Sequence, residues 1–214
     1  MKVNKTATIL IIFFMLLGVS FLGYYYSTMM SVPKRLKYYE RDEHSNGHTI
    51  KSFSFTNQEG KTFTDKDLDG KIYIVEYFFT TCEGICPKLN ENMSKVYNEF
   101  RGQNDIAFVS HTVNPEVDSA SILKAYSLKY DADPNQWIFL TGDKHDLYDM
   151  AVNSYLVAAV DDTARKEVLP DFVHTKYFVL VDKEKHIRGT YDGTSPGSVQ
   201  QLIGDIKTLR MEYD

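Results

Sequence analysis

A chain of 214 residues with a net charge of −5 holds one domain's worth of core-forming sequence. It has no basic stripe of the kind that binds nucleic acid, so a nucleic-acid partner is excluded. Internal repeats and low-complexity tracts are also absent from the sequence.

Residues 7–26 carry no charge and are almost wholly apolar. About twenty such residues span a bilayer core as a helix, and Tyr24, Tyr25 and Tyr26 close the segment as an interfacial aromatic belt would. A cleaved signal peptide competes with this reading, but its apolar region would be shorter and would end in an A-x-A site. No cysteine follows the segment, so a lipoprotein signal does not apply. Lys2, Lys5 and the amino terminus favour an inside N-terminus, against the opposing charges of Lys34, Arg35 and Lys37. The expected organisation is a cytoplasmic tail and transmembrane anchor over 1–30, a polar linker over 31–50 containing Pro33, and a soluble domain over 51–214. That domain would lie outside the cytoplasm, where a cysteine pair can be oxidised.

Within the domain, residues 52–56 and 61–64 alternate at period two around Asn57-Gln58-Glu59-Gly60, which predicts a β-hairpin. The run 72–79 suits a central strand covered on both faces. A helix after Pro87 carries Leu89, Met93, Val96, Tyr97 and Phe100 on one face and stops near Gly102. Residues 106–110 form the next strand. Asn114-Pro115 breaks the chain, and Asp118 or Ser119 caps a helix through Leu123, Tyr126 and Tyr130. A strand over 137–140 and a helix with Leu147, Met150 and Ala151 follow. Residues 177–181 and 186–191 form a hairpin across a polar turn, and a last helix runs from about Ser198 through Leu202, Ile206 and Leu209. Alternating strands and helices with a closing hairpin give an α/β sandwich with a mixed sheet. With the thiols after the first core strand, this order describes a thioredoxin-like fold.

The two cysteines of the chain stand in Cys82-Glu83-Gly84-Ile85-Cys86-Pro87, between the strand 72–79 and the helix. Backbone N–H groups at such a junction favour thiolate, the form that binds soft metals and attacks disulfides. A structural disulfide here would close a loop of only three residues and stabilise little, and two unrelated buried thiols are the remaining alternative. Peroxide reduction would need a positive neighbour for an activated thiolate, whereas the loop offers Glu83.

Among six histidines, His174 precedes the strand 175–181, which in a thioredoxin-like sheet starts beside the thiol loop. His111 follows a core strand and is open to supporting a ligand, to serving as an alternative ligand, or to local hydrogen bonding. His44 and His48 read as part of a solvated segment, His145 and His186 as surface residues, and Met93 as core.

The chain resembles the Sco/SenC family of membrane-anchored copper proteins that assist assembly of the binuclear copper centre of cytochrome c oxidase. The resemblance rests on Phe79-Thr80-Thr81-Cys82-Glu83-Gly84-Ile85-Cys86-Pro87, on the run from Phe108 through His111-Thr112-Val113-Asn114-Pro115-Glu116, and on His174-Thr175 leading into a strand and hairpin. It implies Cys82, Cys86 and His174 as copper ligands, and as partner the oxidase subunit with the binuclear site or another copper or thiol protein. The setting it implies is a bacterial-type cell membrane or the mitochondrial inner membrane, crossed once. Glu83, Gly84, Asn114 and Val173 depart from the commoner family pattern and leave the three ligand positions intact. Two thiolates and an imidazole suit Cu(I) and can hold Cu(II), whereas structural Zn would need a fourth ligand such as Glu83 or water. The competing expectation is a membrane-anchored thiol–disulfide oxidoreductase in which Cys82 and Cys86 are the redox pair.

Overall fold

A computed structural model describes residues 5–30, 36–38, 48–157 and 175–213. It divides into two units, residues 1–35 and 36–214. The first contains helix α1 (Lys5–Met30), long and apolar enough to cross a membrane; at the usual rise its 26 residues measure about 39 Å.

The second unit is built on a seven-stranded mixed sheet in the order β2-β1-β5-β4-β3-β6-β7. The strands are β1 (Ser54–Asn57), β2 (Thr62–Thr64), β3 (Ile72–Phe78), β4 (Ile106–Thr112), β5 (Trp137–Thr141), β6 (Tyr177–Val181) and β7 (Ile187–Asp192). Strands β3, β4 and β5 are parallel to one another, and β6 runs antiparallel to β3. The parallel pairs require crossovers, which α2 (Cys86–Phe100) and α3 (Ala120–Ser127) provide. Helices α4 (Lys144–Asp149) and α5 (Pro196–Met211) complete the set. The architecture is the thioredoxin-like α/β sandwich that the element order predicts.

Every residue of β3 is buried because the strand is covered on both faces, and side chains alternate between them. Ile72, Ile74 and Phe78 join Phe108, Trp137 and Phe139 beneath α2, α3 and α5. Tyr73, Val75 and Tyr77 join Val109, Ile138 and Leu140 on the other face, with Phe53 and Phe55 of the first hairpin region and Leu147 of α4. Burying each such side chain contributes about 1.5–3 kcal/mol, so α2, with Leu89, Met93, Val96, Tyr97 and Phe100 all buried, is held by packing. Met93 is core, as its spacing predicts.

Several local features differ from expectation. Ser119 takes the extended N-cap conformation of α3 but makes no side-chain cap bond, and Asp118 is engaged elsewhere. Helix α5 begins two residues earlier than predicted, because Ser195 caps it through Ser198 N and Pro196 occupies its first turn. Parts of the segment read as a linker are docked on the domain. Leu36 N donates to Glu212 Oε1 at 2.8 Å and Leu36 O accepts from Arg188 at 2.7 Å. The Arg188 guanidinium lies 4.3 Å from the centre of the Tyr38 ring. His48 bonds Ser154 O at 2.7 Å, so it is not freely solvated; His44 lies outside the described residues. His186 is half-buried with its ring edge-on to Tyr38, whereas His145 is exposed as expected.

Candidate metal and redox site

The thiol loop leaves the sheet at the C-terminal end of β3, the end at which open α/β sheets place their ligands. Cys82 is half-buried in the loop and Cys86, 4% exposed, opens α2; both are free thiols. Ile85, the N-cap of α2, is in the α region and supplies no side-chain cap. Helix starts leave backbone N–H groups without acceptors, and the sulfur of Cys82 takes up that role.

This arrangement separates the two acidities. Burial raises the Cys82 pKa, but a hydrogen bond from Cys86 and the backbone N–H groups of Cys86, Gly84 and Ile85 outweigh it, leaving the thiol below its ordinary value. Burial, reinforced by the hydrogen bond it shares with Cys82, pushes Cys86 up to about 12. The outer sulfur is therefore the readier thiolate, and the inner one holds its proton more firmly.

Beneath the pair lies a polar cluster in the apolar face. Glu76 of β3 is buried and accepts from Ser110 Oγ at 2.6 Å, while Trp137 Nε1 donates to the same hydroxyl at 2.9 Å. The second carboxylate oxygen of Glu76 has no partner among the described residues. Burial raises this carboxyl to about 8, and its charge helps to raise Cys86. The signal for it was in the sequence, a single acid inside an apolar run. Asn90, one turn along α2, donates to the Cys86 carbonyl at 3.0 Å, and its own Oδ1 has no partner among the described residues.

The stem of the loop is held from the side. Buried Asp118 accepts from Thr80 N at 3.1 Å, from the Thr80 hydroxyl, and from the Thr112 hydroxyl at 2.5 Å. Nothing in the local sequence marks a residue just ahead of a helix as the partner of one 38 positions upstream.

The predicted histidines divide. His174 lies outside the described residues. His111 lies within β4, and the side-chain alternation turns it to the face opposite Cys86, among Phe53, Phe55, Tyr77 and Tyr155. Both of its ring nitrogens lack hydrogen-bond partners among the described residues, and burial lowers its pKa to about 3. It is neither beside the thiols nor locally hydrogen-bonded. Among the described residues, two other groups bring metal-type donors together, Asp143/His145/Asp146 and Asp182/Glu184/His186. Asp143 is occupied as the cap of α4, and Asp182 pairs with Arg188 at 3.1 Å, a cation that opposes a metal.

Comparison with known proteins identifies the family of this fold. The SCO1/SenC family matches residues 41–210. The SCO1 protein homolog of Bacillus subtilis is 26% identical over 163 residues, 75% of this chain and 82% of that protein. A solved SCO1/SenC family lipoprotein from Bacillus anthracis is 30% identical with a TM-score of 0.66, covering 79% of this chain and 99% of that one. ScoI of Bradyrhizobium japonicum, solved with copper bound, shares the fold at 22% identity and a TM-score of 0.59, covering 75% and 99%. This chain belongs to the SCO1/SenC family.

Proposed function

We propose that the protein is a membrane-anchored copper-binding protein, a metallochaperone that delivers copper to, or prepares, the binuclear copper site of cytochrome c oxidase. The observation that carries this reading is the pair of free thiols, close enough to share a hydrogen bond, at the start of α2. Two adjacent soft sulfurs fit a cuprous ion as cargo, and the copper-bound relative supports the assignment. Cys82 and Cys86 supply the thiolates and His174 the third ligand. Helix α1 is the single membrane anchor, residues 31–50 the connection, and residues 51–214 the copper-binding domain. It faces the non-cytoplasmic side of a bacterial-type cell membrane or the mitochondrial inner membrane.

In the chain's own chemistry, Cys82 meets the incoming ion first because it is the more exposed and more acidic thiol. Cys86 then gives up its proton as its sulfur engages. Release follows by exchange of these sulfurs for thiolates of the receiving protein, so the process is a transfer rather than a turnover reaction.

The second reading, a thiol–disulfide oxidoreductase acting on partner cysteines, is favoured by the same asymmetry. A half-buried, acidified Cys82 and a buried, protonated Cys86 suit an attacking and a resolving thiol. The deciding experiment is anaerobic Cu(I) titration of the reduced protein against a competing chelator, with His174→Ala alongside. Tight one-to-one binding that weakens at least tenfold in the variant is expected. Equal binding by both refutes the three-ligand site and moves the oxidoreductase reading to first place.

A further inference from the structure

We propose that Asp118 is a positioning residue for the Cys82–Cys86 pair, its carboxylate fixing the Thr80 stem so that the sulfur of Cys82 stays over the first turn of α2. The proposal rests on the reading of Cys82 and Cys86 as the working pair and names what sets their redox balance.

The geometry is that of a bracket. Strands β3 and β4 end side by side, with Phe78 opposite Thr112 and Val113 N bonded to Phe78 O at 2.9 Å. Asp118 spans both exits, holding the Thr112 hydroxyl on one side and both the amide and the hydroxyl of Thr80 on the other. The Thr112 hydroxyl in turn accepts from Asn114 N at 2.9 Å, which ties the intervening turn into the same unit. Asp118 is wholly buried, and hydrogen bonds to a charged acceptor are stronger than neutral ones.

Cys82 stands two residues beyond Thr80. Among the described residues its backbone carries one further bond between the bracket and α2, Cys82 N to Phe79 O at 3.3 Å. The position of the Cys82 end of the loop therefore rests on the Thr80 stem. Releasing the stem frees the loop for the approach that a disulfide requires, with Cβ atoms about 3.8 Å apart, and so favours the oxidised form.

The test is the equilibrium of the full-length protein in detergent with dithiothreitol. Oxidation of the pair forms one S–S bond and gives up two protons and two electrons. The cyclic disulfide of oxidised dithiothreitol is cleaved and takes them up. Asp118→Asn and Thr80→Val are expected to shift this equilibrium about tenfold toward the protein disulfide, a midpoint about 30 mV more negative. Thr80→Ser, which restores the hydroxyl, should return the wild-type value. If Asp118→Asn does not fold, Thr80→Val decides alone. A folded Thr80→Val protein whose equilibrium stays within about twofold of wild type overturns the proposal, as does an equal shift in Thr80→Ser. Failure of the wild-type protein to bind Cu(I) would overturn the copper reading and leave this outcome readable.

Discussion

Replacing Glu76 with glutamine should make the protein more stable at neutral pH and flatten its stability profile. Burial raises the folded pKa of Glu76 from 4.5 to about 8. The folded state therefore binds a proton that the unfolded state releases, and stability present below pH 4.5 is lost as pH rises through about 8. Integrating between these values gives a cost of about 3 kcal/mol at pH 7, and a fall of roughly 3 to 4 kcal/mol between pH 5 and pH 8. Glutamine keeps the acceptor for Ser110 and cannot ionise. The single tryptophan, Trp137, donates to the same Ser110 hydroxyl, so its fluorescence reports unfolding next to the substitution. Urea titrations of the reduced protein in detergent at pH 5, 7 and 8 would give the free energies by linear extrapolation. A gain that grows with pH is expected. Parallel profiles for the two proteins, differing by a constant within about 1 kcal/mol, would refute a buried carboxyl that titrates near 8.

Other substitutions probe other parts of the frame. His111→Phe should stabilise the protein on the acid side, because burial lowers the folded pKa from 6.5 to about 3. A depressed histidine costs stability as pH falls below 6.5, about 2 kcal/mol at pH 5. Thermal unfolding at pH 5 and pH 7.5 should show the larger gain at pH 5, and no difference between the two would sink the argument. Arg188→Met should destabilise by about 3–5 kcal/mol, because it strands Asp182 and Glu212, which pair with the guanidinium at 3.1 and 2.8 Å. A loss below about 1 kcal/mol in denaturant would mean that this ion cluster is not what holds Leu36 and the end of α5 together.

Much of the fold was legible because β3, β4 and β5 are short apolar runs separated by helices with one apolar face, a pattern set by burial on both sides of a sheet. The thiol pair was legible for a related reason, since Cys82 and Cys86 straddle the boundary where strand periodicity gives way to helix periodicity. Asp118 was misread as a candidate cap. An acid just ahead of a helix usually serves the local N–H groups, and only the fold brings Thr80 close enough to compete for it. His111 was misplaced by the extent of β4: the strand runs on to Thr112, and one residue of alternation decides which face a side chain meets. His186 read as a surface residue because Tyr38, the ring it packs against, lies far away in the chain.

The docking of Leu36 also fixes how the domain would bear a load. Leu36 is pinned by Arg188, at the start of β7, and Val181 pairs with both Ile187 and Tyr73. The chain therefore enters the domain at one end of the sheet, while Cys82 leaves from the other, beyond Phe78. Tension between the entry point and a sulfur bonded to another protein would run lengthwise along β3, β6 and β7. Hydrogen bonds crossing between strands pulled in that direction share the strain together, instead of parting one after another as a zip does. A covalent complex formed through Cys82 is thus held by a sheet strained along its most resistant axis.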